Sequence, residues 1–165
     1  MTEPAAAQAT VREAGAEDVG AVSTAVASLL AELGGRMPSR AEMEAEVQAL
    51  LDDPHGGSVL IAEADGKIVG VLTASWQRAI HVPGVYATVQ DLWVDEDWRS
   101  RGVGAELVEA IASQARTRGV SRLEVGLPRE TFAAIASTQS FYERNGFEHL
   151  GPRMRRLLDA GGESG

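Results

Sequence analysis

Residues 90 to 107, read as QDLWVDEDWRSRGVGAEL, constrain the fold more than any other stretch of the chain. Leu92, Trp93 and Val94 are contiguous, large and partly β-branched, the composition of a strand buried on both faces. Val103, Leu107, Val108, Ile111 and Ala115 then recur at threes and fours, the period of a helix with one apolar face, and Gly119 follows as its C-cap. The strand must therefore hand over to the helix through a polar turn carrying Arg99, Arg101, Gly102 and Gly104. The first amides of such a helix have no intrahelical partner, and the positive end of its dipole adds to them. Two guanidinium forks stand beside these donors, and the glycines let a ligand approach the backbone. The expected result is an anion site for a phosphate or pyrophosphate.

Two other phosphate motifs compete for the same residues. A Walker loop requires a lysine and a hydroxyl after its last glycine, and neither stands in place here. A dinucleotide fingerprint could begin at Gly102 and Gly104, with Glu124 about twenty residues on. Its third glycine is Leu107, however, and seven residues separate Val94 from Gly102, where the glycine turn should follow the strand at once.

The remaining elements are predicted from period and turn chemistry. A short strand is expected over residues 10 to 13. Val19, Val22, Val26, Leu29, Leu30 and Leu33 mark one face of a helix over 17 to 33, stopped by Gly34-Gly35. Ser39 and Glu42 have the S-x-x-E spacing of a capping box, and Met43, Val47, Leu50 and Leu51 line one face of the helix that follows. Strands at 58 to 64 and 67 to 76 flank Asp65-Gly66, which supplies the positive φ angles of a tight hairpin. Pro83-Gly84 is expected to break the chain before a third strand at 85 to 94, giving an antiparallel meander. A strand at 122 to 126, a mainly helical stretch from 128 to 145 and two short strands at 147 to 150 and 153 to 158 complete the prediction. Residues 1 to 9 read as a disordered tail and 159 to 165 as a polar one, around a single domain spanning 10 to 158.

At 165 residues one hydrophobic core suffices. No cysteine is present, which excludes disulfides, thiolate metal sites and cysteine nucleophiles. No metal-ligand spacing of histidines or carboxylates is readable, and His55, His81 and His149 stand in unrelated contexts. The formal net charge of -9 argues against a general nucleic-acid surface and tilts toward a cationic ligand. With no basic leader and no membrane-length apolar run, a cytoplasmic protein with no membrane partner is expected.

Arg99-Ser100-Arg101-Gly102-Val103-Gly104 resembles the Q/R-x-x-G-x-G/A acyl-CoA signature of the GNAT family of N-acetyltransferases. Leu92-Trp93-Val94, Phe141-Tyr142 and Asn145-Gly146-Phe147 resemble further landmarks in the family's order. The resemblance covers roughly residues 11 to 158, strongly from 85 onward. It implies an α+β fold with a mixed, mostly antiparallel sheet of about six to seven strands flanked by about four helices. It also implies acetyl-CoA as co-substrate without a metal. Leu92, Trp93 and Val94 would pair with the pantetheine arm, especially through Trp93 and Val94. Arg99, Ser100, Arg101, Gly102, Val103, Gly104 and Ala105 would hold the pyrophosphate. The loop between the first two helices, with Arg36 and Met37, is placed near the acceptor.

Acetyl transfer to an amine meets a protonation barrier first. An alkylammonium of pKa about 10.4 must lose a proton at pH 7, a deficit of roughly 4.6 kcal/mol. The family's common glutamate base falls at or beside Gln90, which cannot take up a proton. Asp91 is the nearest carboxylate, although strand alternation puts it on the face of Trp93. Asp91, an ordered water or Glu124 remain as bases. Tyr142 occupies the family's general-acid position, opposite a departing sulfur. The asparagine that family members often carry about seven residues before the tyrosine is Ile135 here, which leaves Ser137 and Thr138 as polar contacts to the cofactor. The expectation is a direct ternary-complex transfer to a primary amine of a small molecule. A protein amine is the alternative acceptor, and a non-catalytic acyl-CoA sensor the alternative from another class. Sheet-edge pairing through the last strands offers a route to a homodimer.

Overall fold

In the computed structural model, which describes residues 8–158, the hairpin turn sets up the sheet. Asp65 and Gly66 both take positive φ, 51° and 74°, matching the right-handed twist of the strands they join. Those strands are β2 (Gly57–Ala64) and β3 (Lys67–Ala79). Strand β1 (Thr10–Glu13) pairs antiparallel with β2, and β4 (Val82–Val94) pairs antiparallel with β3. Strand β5 (Leu123–Val125) closes the order β1-β2-β3-β4-β5 as the one parallel neighbour. Pro83-Gly84 does not break the chain as expected. The β3–β4 ladder absorbs the pair as an irregularity beside the turn, with Gly84 at φ 94°.

The two faces of the sheet are covered differently. Helix α1 (Val19–Leu33) and helix α2 (Arg40–Asp52) lie on one face, where Val22, Ala25 and Val47 meet Val59, Ile61 and Val71. The capping box before α2 forms as predicted: the Glu42 amide donates to Ser39 Oγ at 3.2 Å and the Ser39 amide to Glu42 Oε2 at 2.7 Å. Helix α3 (Val103–Thr117) covers the opposite face with Val103, Leu107, Val108, Ile111 and Ala115, the five positions that its period marked. Helix α4 (Ile135–Arg144) sits on the same side, its Phe141 joined there by Phe147. No helix among the described residues is long and apolar enough to cross a membrane.

Two expectations change. Helix α4 begins at Ile135, where a mainly helical stretch was expected from 128, and Ser137 Oγ donates to the Ala134 carbonyl at 2.9 Å. The strands expected at 147 to 150 and 153 to 158 do not form, so the sheet has five strands among the described residues where six to seven were expected. The outer edge of β5 offers a template of three residues, and Gly151-Pro152 interrupts the segment that would use it. Leu150, Met154, Leu157 and Leu158 are left exposed, while the Arg153 guanidinium lies against Gly126 at the end of β5. The expected tails at 1 to 9 and 159 to 165 fall outside the described residues except for Gln8 and Ala9.

Candidate active site

A one-residue bulge in β4 organises the site. Thr73 pairs with Asp91 and Ala74 with Val89, so Gln90 is the extra residue. The bulge brings Gln90 to the face of Asp91, while Asp91 keeps the face of Trp93 that alternation assigned to it. Asp91 accepts a short hydrogen bond from the Thr73 hydroxyl, and Gln90 Nε2 donates to Ser75 Oγ at 3.4 Å. Thr73 and Ser75 are two residues apart on an unbroken stretch of β3, so all four side chains share the α1–α2 face.

Beyond the bulge the sheet opens. The β4–β5 pairing ends at Val89 and Val125, leaving Gln90 to Val94 without a neighbour on that edge. The Asp95 amide donates to the Val69 carbonyl at 2.8 Å. By the alternation of an antiparallel ladder, the main-chain groups of Trp93 then turn toward β3, and those of Leu92 and Val94 toward the opening. Of the two residues expected to meet the surrogate strand, Val94 thus has main-chain groups on the open edge, as has Leu92, while those of Trp93 are turned to β3. The Leu92 and Val94 side chains pack on the α3 face and Trp93 on the α1–α2 face.

The loop after β4 is built to present amides. Asp95 accepts from the Asp97 amide at 2.9 Å and starts a single 3-10 turn, Glu96–Trp98. Ser100 at φ 61° and Gly102 at φ 84° then swing the chain into α3. Gly102 is the N-cap and supplies no side-chain acceptor, so the amides of Val103, Gly104 and Ala105 keep their donors free. The two arginines are already engaged, differently. Arg99 donates from Nε to the Val94 carbonyl at 3.1 Å and pairs with Glu32 at the end of α1. Arg101 stacks its guanidinium on Trp98, 4.8 Å from the ring centroid, which leaves the fork edges open to an anion. Gly104 has a packing duty that the sequence did not disclose: a Cβ there would stand 3.1 Å from the Phe141 ring.

Tyr142 is 8% exposed, edge-on to Phe141 and Phe147 with centroids at 5.1 and 5.3 Å. Burial pushes its phenol up to about 12, so it holds its proton throughout the neutral range. Among the described residues its hydroxyl has no hydrogen-bond partner and is not one of the sealed polar atoms. Its ring neighbours Phe141 and Phe147 belong to the α3 side of the sheet, whereas Asp91 faces the α1–α2 side. Asp91 is half-buried, and desolvation raises its carboxyl above the ordinary value against the opposing Thr73 hydrogen bond. Glu124, in register with Thr88 on β5, has Arg122 at 3.8 Å. Thr138 is half-buried on α4, and its amide bonds only the Ala134 carbonyl, as helix geometry requires. Sequence reasoning missed Thr73, whose alternation marked only a strand, and Glu32, which is brought to Arg99 across 67 residues.

The model of the acetyltransferase (GNAT) family matches residues 26–147. The chain belongs to that family. An uncharacterised N-acetyltransferase of Methanocaldococcus jannaschii is 33% identical over 90 residues, 53% of this chain and 38% of that protein. An IAA acetyltransferase of Azospirillum brasilense is 33% identical over 95 residues, 56% of this chain and 60% of that one. The GNAT chain thus spans only part of the length of both curated relatives. Among solved structures, an integron cassette protein from the mobile metagenome of Cole Harbour Salt Marsh superposes with a TM-score of 0.76 at 24% identity, covering 92% of this chain and 91% of that one. An aminoglycoside acetyltransferase from an uncultured soil metagenomic sample, in complex with sisomicin, gives 0.72 at 18% identity, with 92% and 97% covered. These likenesses carry the fold. The family generally uses acetyl-CoA.

Proposed function

We propose that this GNAT protein transfers an acetyl group from acetyl-CoA to a primary amine of a small molecule, in a ternary complex. The observation that carries the reading is the open edge of β4 at Leu92 and Val94, with Val94 packed beside Gly104 at the free-amide start of α3. The residues fit the co-substrate: Val103, Gly104 and Ala105 offer amides to a diphosphate, Arg101 offers the edge of a stacked guanidinium, and the Leu92 and Val94 main chain faces an amide-bearing arm. Bound there, acetyl-CoA supplies an activated thioester.

The chain's own groups do the rest. Tyr142 keeps its proton at neutral pH and donates a hydrogen bond to the sulfur as charge develops on it. The amine arrives from the opposite face, where Asp91, made a stronger base by burial, accepts its proton directly or through a water. The amine nitrogen bonds to the carbonyl carbon, the carbon–sulfur bond breaks, and the electron pair leaves on sulfur. With no cysteine in the sequence to hold the acyl group, attack is direct.

The test is thiol release from acetyl-CoA across a panel of primary amines, with both substrates varied. Intersecting double-reciprocal lines and acceptor-dependent thiol are expected. Parallel lines would overturn the direct transfer, and cofactor binding without release on any amine would assign the protein to the sensor class.

A further inference from the structure

We infer that the acceptor is a hydroxylated, cationic amine, read by a ladder of polar side chains on the α1–α2 face of β3 and β4. The inference rests on the transfer reading above and narrows its substrate class. Thr73, Ser75 and Gln77 alternate along β3, and Thr88, Gln90 and Asp91 stand across from them on β4. The bulge at Gln90 adds one polar group that a regular strand would have turned to the other face. Thr88 donates to Gln77 Oε1 at 2.9 Å, Gln90 to Ser75, and Thr73 to Asp91.

These bonds use only part of the ladder's capacity. The Gln77 amide nitrogen and the Gln90 carbonyl oxygen have no partner among the described residues, and both side chains are exposed. The ladder therefore presents a free donor on β3 and a free acceptor on β4, strands about 4.8 Å apart, for the hydroxyls of a polyol to pair with. An alkyl chain laid over it would cover these groups without replacing the water they bind.

Charge narrows the class further. Asp91 has no cationic partner among the described residues, although it is half-buried. An ammonium supplies that partner. On the strands themselves the cation beside the ladder, Arg122, is within 3.8 Å of Glu124, so a phosphate laid on the sheet meets two carboxylates, Asp91 and Glu124.

The experiment uses the full chain and matched acceptors. Glucamine and hexylamine are both six-carbon primary alkylamines, one hydroxylated; glucosamine and glucosamine 6-phosphate differ by the phosphate. Rates are compared per unit of free base. The expected kcat/KM for glucamine exceeds that for hexylamine by about 10-fold or more, and the phosphate lowers that of glucosamine by about 10-fold. Gln77→Leu and Ser75→Ala, confirmed folded by circular dichroism, are expected to raise KM for glucamine several-fold while leaving hexylamine unchanged. Equal or better use of hexylamine, preference for the phosphate, or variants that affect both alkylamines alike would overturn the inference and leave the transfer reading standing. Calorimetric titration of glucamine into CoA-saturated protein separates the two ideas. Binding weakened by Gln77→Leu, without thiol release on any amine, keeps the ladder and refutes the transfer; absence of both refutes both.

Discussion

Tyr142 and Asp91 have opposite chemistry for the same physical reason. Burial disfavours charge, so it holds the phenol protonated and makes the carboxylate a stronger base. Tyr142→Phe keeps the ring between Phe141 and Phe147 and removes only the donor. Turnover is expected to fall by about 100-fold or more with the acetyl-CoA dissociation constant unchanged, checked by thiol release and calorimetry. For Asp91 the raised carboxyl means that the folded state holds its proton at pH values where the unfolded chain has lost it. Stability therefore falls as pH rises from the ordinary value of 3.8 through the raised one, and the cost is constant above that. Asp91→Asn is expected to match the parent protein in acid and to melt higher at neutral pH, while the acidic limb of the pH-rate profile moves. A melting difference that grows on acidification would contradict the sign.

At the scale of elements, two glycines two residues apart do different work. Gly102 needs its φ of 84° and has open space around it, whereas Gly104 has a helical backbone and a ring in the way. Gly102→Ala is expected to cost about 1 kcal/mol through the left-handed backbone. Gly104→Ala presses Phe141 away and should displace α4, lowering turnover through Tyr142 as well as stability. Urea unfolding and kinetics on the pair check this: Gly104→Ala must lose more turnover than Gly102→Ala at comparable stability loss. Before α2, Ser39→Ala removes a hydrogen bond that the structure shows formed, and about 1 kcal/mol of stability by urea unfolding is expected to go with it.

The whole molecule is tied at its amino-terminal edge by a charge network. Arg12 on β1 donates to both Asp18 oxygens, at 2.8 and 3.1 Å, and to Glu63 on β2 at 3.0 Å. The Arg12 side-chain hydrogen bond, aided by the Gly15 amide, holds the Asp18 carboxyl below its ordinary value of 3.8 against burial. That contribution is complete above 3.8 and is lost as pH falls through the depressed value. Arg12→Met is expected to lower the melting temperature at pH 7, with the difference from the parent protein shrinking as the solution is acidified through that window. A constant difference from pH 7 to pH 2 would show that the network does not titrate with folding.

Local sequence determined what local physics controls. The Asp65-Gly66 turn, the Ser39–Glu42 box and the apolar face of α3 each depend on residues within a few positions of one another, and each stands where its pattern put it. The strand-to-helix passage with free amides was legible for the same reason. Only the tertiary structure decided that Gln90 shares the face of Asp91, because a bulge is set by how β3 and β4 are held in register, not by the alternation within either strand. It also decided that Arg99 meets Glu32, that Gly104 makes room for Phe141, and that residues 147 to 158 form no strand. Strand propensity is realised only where a neighbouring edge accepts the hydrogen bonds, and a three-residue β5 extends too little of one.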